Sequence, residues 1–298
     1  MSLSAGRVTV PLPGVSSVLT MNIIDPAKAV QAARSRQGTI AQRFQSQPPV
    51  RYLMGVYPLT QKEYNICRVA AGQPPIGSER DNDLPATQIN TRENDAFCQW
   101  LNESGTGYKF RRPTRQEWDF ACHGPEGWGF PWLDWQADLN EYLDTIRMYN
   151  DGAGNTRLLA HLRKSKDFNK YRRREDGAYE FDREHSLVRR LIGKAVICAD
   201  SPASVLSGGG SSPFGLRHMV GNVHELTATT LTAGKVVALG GAFNDNSYED
   251  LRPGQSRLVS PSYRAGNVGV RLAADFLGGQ EVKVGPLMQD ETNAEVEA

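Results

Sequence analysis

Residues 112–121 read Arg112-Pro113-Thr114-Arg115-Gln116-Glu117-Trp118-Asp119-Phe120-Ala121. The Thr114 hydroxyl can accept a hydrogen bond from the backbone N–H three residues on, at Glu117. The Glu117 carboxylate can reach back to the N–H of Thr114, and the two together make a capping box. Trp118 and Ala121 then share the inward face of a short helix that Gly124 is suited to end. The same device stands upstream at Thr60-Gln61-Lys62-Glu63 and, with asparagine as the cap, at Asn90-Thr91-Arg92-Glu93. The first of these helices should run to about Ala71 and stop at Gly72. The second puts Phe97, Trp100 and Leu101 on one face, so Trp100 and Trp118 are both expected in the core.

Upstream, residues 1–48 read as an N-terminal arm. Two extended stretches, Arg7–Pro11 and Val15–Met21, precede a helical candidate from Pro26 to about Arg36, and Gln45–Pro49 forms a polar linker. Apolar strands of this kind gain by pairing with a sheet edge, on their own domain or a neighbour's, so the arm is expected to hold the protein in an oligomer or larger assembly. Downstream, Trp128, Phe130, Trp132 and Trp135 form an aromatic cluster expected to plug a loop-rich core. A charged insertion follows at about 136–205. Between Arg157 and Lys194 it holds 12 Lys/Arg against 6 Asp/Glu. The acids are interspersed and aromatics are few, so the stretch reads as a solvated insertion and nucleic-acid binding is not expected. Gly208-Gly209-Gly210-Ser211-Ser212 is a loop, and no Gly-Lys-Ser/Thr follows to make it a phosphate loop. Val268-Gly269-Val270-Arg271-Leu272 alternates like a final half-buried strand. The C-terminal tail is 277–298, and its end, 285–298, is polar and acidic.

Composition sets outer bounds. The chain has 298 residues, 39% of them hydrophobic, with 34 Lys+Arg against 33 Asp+Glu. That balance calls for neither nucleic acid nor an anionic surface. No window approaches the ~18 apolar residues of a membrane span, and the N-terminus shows no signal-peptide core. A cytoplasmic protein without membrane insertion is expected. Cys67, Cys98, Cys122 and Cys198 lie far apart, at no metal-ligand or C-x-x-C spacing, and are expected as free thiols.

Four blocks in order now match one pattern. They are Met54–Tyr64, Ile89–Leu101, Arg112–Ala121 and Pro213-Phe214-Gly215-Leu216-Arg217-His218-Met219-Val220-Gly221-Asn222-Val223-His224-Glu225-Leu226-Thr227. The chain closes with Gly240-Gly241-Ala242-Phe243 and Gly266–Leu272. Across roughly residues 49–276 it resembles the formylglycine-generating-enzyme (sulfatase-modifying factor) family. The resemblance implies an α+β, C-type-lectin-like fold with much irregular structure. Active members of that family hold copper on two cysteines shortly before the final strand, thiolate being the soft ligand that a cuprous ion wants. Here Tyr248–Arg257 contains no cysteine, and none follows Cys198. The family's calcium loop maps onto Gly221, Val223 and Glu225, with His218 where an oxygen ligand is usual, so calcium is the one metal the resemblance leaves open.

The leading functional expectation is therefore a non-catalytic binding or structural protein for a protein or glycan ligand. It is akin to phage or retroelement variable proteins, and would be part of a virion if phage-encoded. Phe243, Asn244, Asp245, Asn246 and Tyr248, together with Tyr263, make the expected ligand surface, since aromatic and amide side chains combine rigid contact area with adaptable hydrogen bonds. The alternative is an enzyme of the same family with altered chemistry, built on His218, His224 and Glu225 as an acid/base cluster.

Overall fold

Three of the five α-helices among the described residues start on capping boxes. Thr60 starts α3 (Gln61–Ala70), Asn90 starts α4 (Thr91–Glu103) and Thr114 starts α5 (Arg115–His123), each with both reciprocal hydrogen bonds formed. Helix α5 ends at Gly124, whose φ of 68° lies in the left-handed region open to glycine. The computed structural model describes residues 3–35, 40–45, 49–127, 201–206, 211–231, 234–245 and 256–277. The aromatic cluster from Trp128 to Trp135, the basic stretch Arg157–Lys194, Asn246, Tyr248 and the acidic tail from residue 278 on lie outside them.

One antiparallel sheet runs through the middle of the fold in the order β1 (Arg7–Pro11), β2 (Val18–Ile24), β3 (Tyr52–Gly55), β9 (Ala273–Phe276), β4 (Tyr108–Arg111). Strand β3 is buried at all four positions. Its side chains alternate between two cores, as the pleat requires. Leu53 joins a cluster with Met21, Ile23, Phe97, Leu101 and Phe110. Tyr52 and Met54 join the opposite one with Phe44, Trp118, Phe120 and Phe214. A second sheet, ordered β7 (Ser256–Val259), β6 (Val236–Leu239), β5 (His224–Thr230), β8 (Val268–Gly269), carries the loops considered below. Its β5–β8 pairing is parallel, His224 opposite Val268 and Glu225 opposite Gly269.

The structure revises the separate arm. Strand β2 pairs with β3 from Met21↔Gly55 to Ile24↔Tyr52, so residues 3–45 supply two of the five strands of the central sheet. The chain then forms α1 (Pro26–Ser35) and α2 (Gln42–Gln45), which bury Ala29, Ala33 and Phe44 in the core shared with Trp118. The apolar strands find their edge within the chain because β3 would otherwise expose a ladder of unpaired backbone groups. Two smaller corrections follow. Trp100 is half-buried against the Phe97 ring, 5.6 Å between centroids, whereas Trp118 is fully buried. The closing strand is β9; of the stretch 268–272 only Val268–Gly269 pairs as strand, while the Val270 and Leu272 carbonyls accept from the Leu59 and Gly55 N–H groups.

Cys67, Cys98 and Cys122 are free thiols. Burial pushes the Cys98 thiol up to about 12 and the Cys122 thiol well above its ordinary value, so neither offers a thiolate near neutral pH. Among the described residues no helix is long and apolar enough to cross a membrane.

Candidate functional site

Where the two sheets meet, β5 and the segment after β8 share a buried polar post. Arg271, fully buried, donates from Nε and Nη2 to the two Glu225 oxygens at 2.9 and 2.6 Å. Trp118 Nε1 donates to the same carboxylate at 2.6 Å. The remaining guanidinium hydrogens go to the carbonyls of Gly55, Val56 and Arg217, at 2.9, 2.8 and 2.7 Å. A buried charge is tolerated only when paired and hydrogen-bonded, and here every prong is. The post joins β5, the β3 end, α5 and the turn at 217 in one place.

This geometry changes the roles expected for the calcium residues. Both Glu225 oxygens are taken by a cation and an indole N–H, so the carboxylate is not available to a metal ion. Val223 is buried, and Gly221 (φ 74°) donates its N–H to the Gly240 carbonyl at 2.6 Å, a contact that does not involve the carbonyl oxygens expected to face calcium. Among the described residues no three His, Cys, Asp or Glu side chains converge as a metal site.

The acid/base cluster does not assemble either. His218 (φ 57°) places Nε2 3.0 Å from the Val205 carbonyl. His224 instead faces Asp245, Nε2 to Oδ2 3.1 Å, an ion-pair contact when the imidazole is protonated. The contact lacks hydrogen-bond alignment, and Nδ1 has no partner among the described residues. Asp245 also accepts from the Ala242 N–H at 2.7 Å, and its own N–H donates to the Ala242 carbonyl, so it folds residues 242–245 into a tight turn. Burial pushes the Asp245 carboxyl up, but His224, the Ala242 N–H and the Arg257 charge outweigh it and hold the group below its usual range.

An exposed face lies on the loops that follow β6 and β7. Phe243 is half-buried, with its N–H bonded to the Asn222 carbonyl at 2.9 Å. Asn244 is exposed, and its Oδ1 accepts from Asn267 Nδ2 at 2.8 Å. That amide pair joins the 241–245 loop to the 260–267 loop, where Tyr263 is half-buried against Leu226, Val236 and Val268. Asn267 is fixed in turn by its carbonyl, which accepts from the His224 N–H at 2.9 Å. Gly266 is exposed, and a Cβ there would meet nothing within 4 Å. Of the expected surface, then, Phe243, Asn244, Asp245 and Tyr263 lie on two joined loops, while Asn246 and Tyr248 are outside the described residues. Asn222, Asn267 and Gly266 were not expected there. Asn222 had a local signal: in the Gly221-Asn222 pair, asparagine is the residue besides glycine that best tolerates its φ of 61°.

Residues 49–276 match the family model for the sulfatase-modifying factor enzyme 1-like domain, termed FGE-sulfatase. Among solved structures the chain is similar to Treponema denticola variable protein 1 at 16% identity, covering 90% of this chain and 98% of that one, TM-score 0.51. It is also similar to PvdO from Pseudomonas aeruginosa at 15% identity, covering 91% and 98%, TM-score 0.53. At such identities the likeness is one of fold. A comparison with curated proteins returns no match.

Proposed function

Because the chain belongs to the sulfatase-modifying factor enzyme 1-like domain family over residues 49–276, we propose that it uses that scaffold as a non-catalytic binding protein, presenting the 241–245 and 260–267 loops to a protein or glycan ligand. The Asn244–Asn267 amide pair carries this reading, since it fuses two loops into one exposed platform flanked by half-buried Phe243 and Tyr263. Such a platform loses little conformational freedom when a ligand settles on it. Two further facts support it. No cysteine follows Cys198, and the resemblance would put the copper-holding pair at Tyr248–Arg257. Glu225 and Arg271 spend their charges on each other in the buried interior. The likeness to a protein described as variable is in keeping with a binding role. A displayed component of a larger particle, such as a phage virion, is the setting we propose for this face, with the outer edge of β1 making the contact.

The alternative, an enzyme with altered chemistry, draws on the His224–Asp245 contact, an imidazole 3.1 Å from a carboxylate. His224→Gln should then abolish turnover while leaving ligand capture intact.

The binding reading is tested by blocking the platform. Gly266→Arg projects into open space and should leave the fold unchanged. Screening wild-type protein on a glycan array and against extracts of surface proteins should yield a ligand that neither Gly266→Arg nor Phe243→Ala/Tyr263→Ala retains. A ligand held equally by all three proteins would overturn the assignment.

A further inference from the structure

Asn222 is buried, at 6% exposure, and touches two parts of the chain that the sequence holds apart. Its Oδ1 accepts from the Ala203 N–H at 3.0 Å and its Nδ2 donates to the Ala203 carbonyl at 3.1 Å, a two-point clamp on one residue. Its own carbonyl accepts from the Phe243 N–H on the binding face. The clamped residue belongs to a short strap, residues 201–206, at the C-terminal end of the charged insertion. The strap is seated at a second point by Val205, which is buried, donates to the Asp83 carbonyl at 2.8 Å and offers its own carbonyl to His218 Nε2. Beyond that anchor Leu206 is exposed, at 60%.

We propose that Asn222 is a positioning residue that makes the strap 201–206 the second wall of the binding face and couples its seating to the turn Ala242–Asp245. The backbone at 222 needs a residue that accepts a left-handed φ, and glycine meets that need at least as well as asparagine. What asparagine adds is the clamp. With the clamp closed, the peptide plane that carries the Asn222 carbonyl is held from both sides, by Ala203 through the side chain and by Phe243 through the main chain. Asp245 then relays the order of Phe243 to the rest of the turn through its two contacts with Ala242. A partner that engages the strap therefore alters the geometry offered to the ligand, and a ligand on the turn alters the strap. The functional meaning rests on the binding reading above; the coupling itself does not.

The test is amide hydrogen exchange on the full-length protein without any ligand. Asn222→Gly keeps the left-handed backbone and the carbonyl but deletes the clamp. Exchange at Ala203 should rise by roughly tenfold, the scale of one or two net hydrogen bonds, and Phe243 and Asp245 should rise with it. His218→Asn loosens the strap from its other anchor while leaving Asn222 in place, and should also raise exchange at Phe243. Faster exchange at the strap with Phe243 and Asp245 unchanged in both variants would overturn the proposal, as would no change at Ala203 in Asn222→Gly. Should Asn222→Gly unfold the whole domain, His218→Asn alone decides between these outcomes. Because no ligand enters, failure of the platform-blocking experiment would leave this result standing, and the reverse holds too.

Discussion

Arg271 and Glu225 meet as a two-pronged ion pair in which neither side chain reaches solvent, and the Trp118 indole closes the carboxylate from a third direction. Truncating one partner of such a pair strands a buried charge. Arg271→Met should cost about 3–5 kcal/mol in urea denaturation, and Arg271→Met/Glu225→Gln should cost less than the single change. Since Glu225 is spent in this pair, calcium and a chelator should leave the melting temperature equal. A calcium-dependent rise that Glu225→Gln removes would contradict the assignment.

The two tryptophans should separate. Trp118 is fully buried and hydrogen-bonded, so Trp118→Ala should cost about 3–5 kcal/mol. Trp100 packs on one side only, and Trp100→Ala should cost clearly less under the same denaturant titration.

Removing residues 1–48 should abolish cooperative unfolding instead of releasing an intact domain. The deletion strips β2 from β3 and takes Met21, Ile23, Ile24 and Phe44 from two cores. A truncated protein that melts sharply near the full-length temperature would show that the central sheet tolerates an open β3 edge.

Acid should loosen the binding turn in a defined direction. The folded Asp245 carboxyl lies below its ordinary value of 3.8, so it contributes stability that is present above that value. This contribution is lost as pH falls through the depressed folded value. Exchange at the Ala242 amide should therefore stay slow at pH 5 and accelerate only below the ordinary carboxylate range. In Asp245→Asn that acid-induced step should vanish.

Copper-dependent oxidation of a cysteine-containing peptide should not be detected with the purified protein. Turnover that survives replacement of Cys67, Cys98, Cys122 and Cys198 by serine would show that the chemistry resides elsewhere.

The three helices were legible in the sequence because a capping box is local. Thr60 and Glu63, Asn90 and Glu93, Thr114 and Glu117 are each three residues apart, and backbone geometry alone brings them together. The ordered blocks from Met54 to Leu272 likewise indicated the fold class. The tertiary structure decided the rest. Asn222 meets Ala203 across 19 residues, Arg271 meets Glu225 across 46, and Trp118 meets Glu225 across 107. Whether the Glu225 carboxylate holds a metal ion or a guanidinium depends on which of them the closed chain delivers to it. Nothing in the local pattern of Glu225 distinguishes the two. The N-terminal strands follow the same logic: their alternation announces a wish to pair, but only the exposed ladder of β3, next to them once the chain has folded, determines with what.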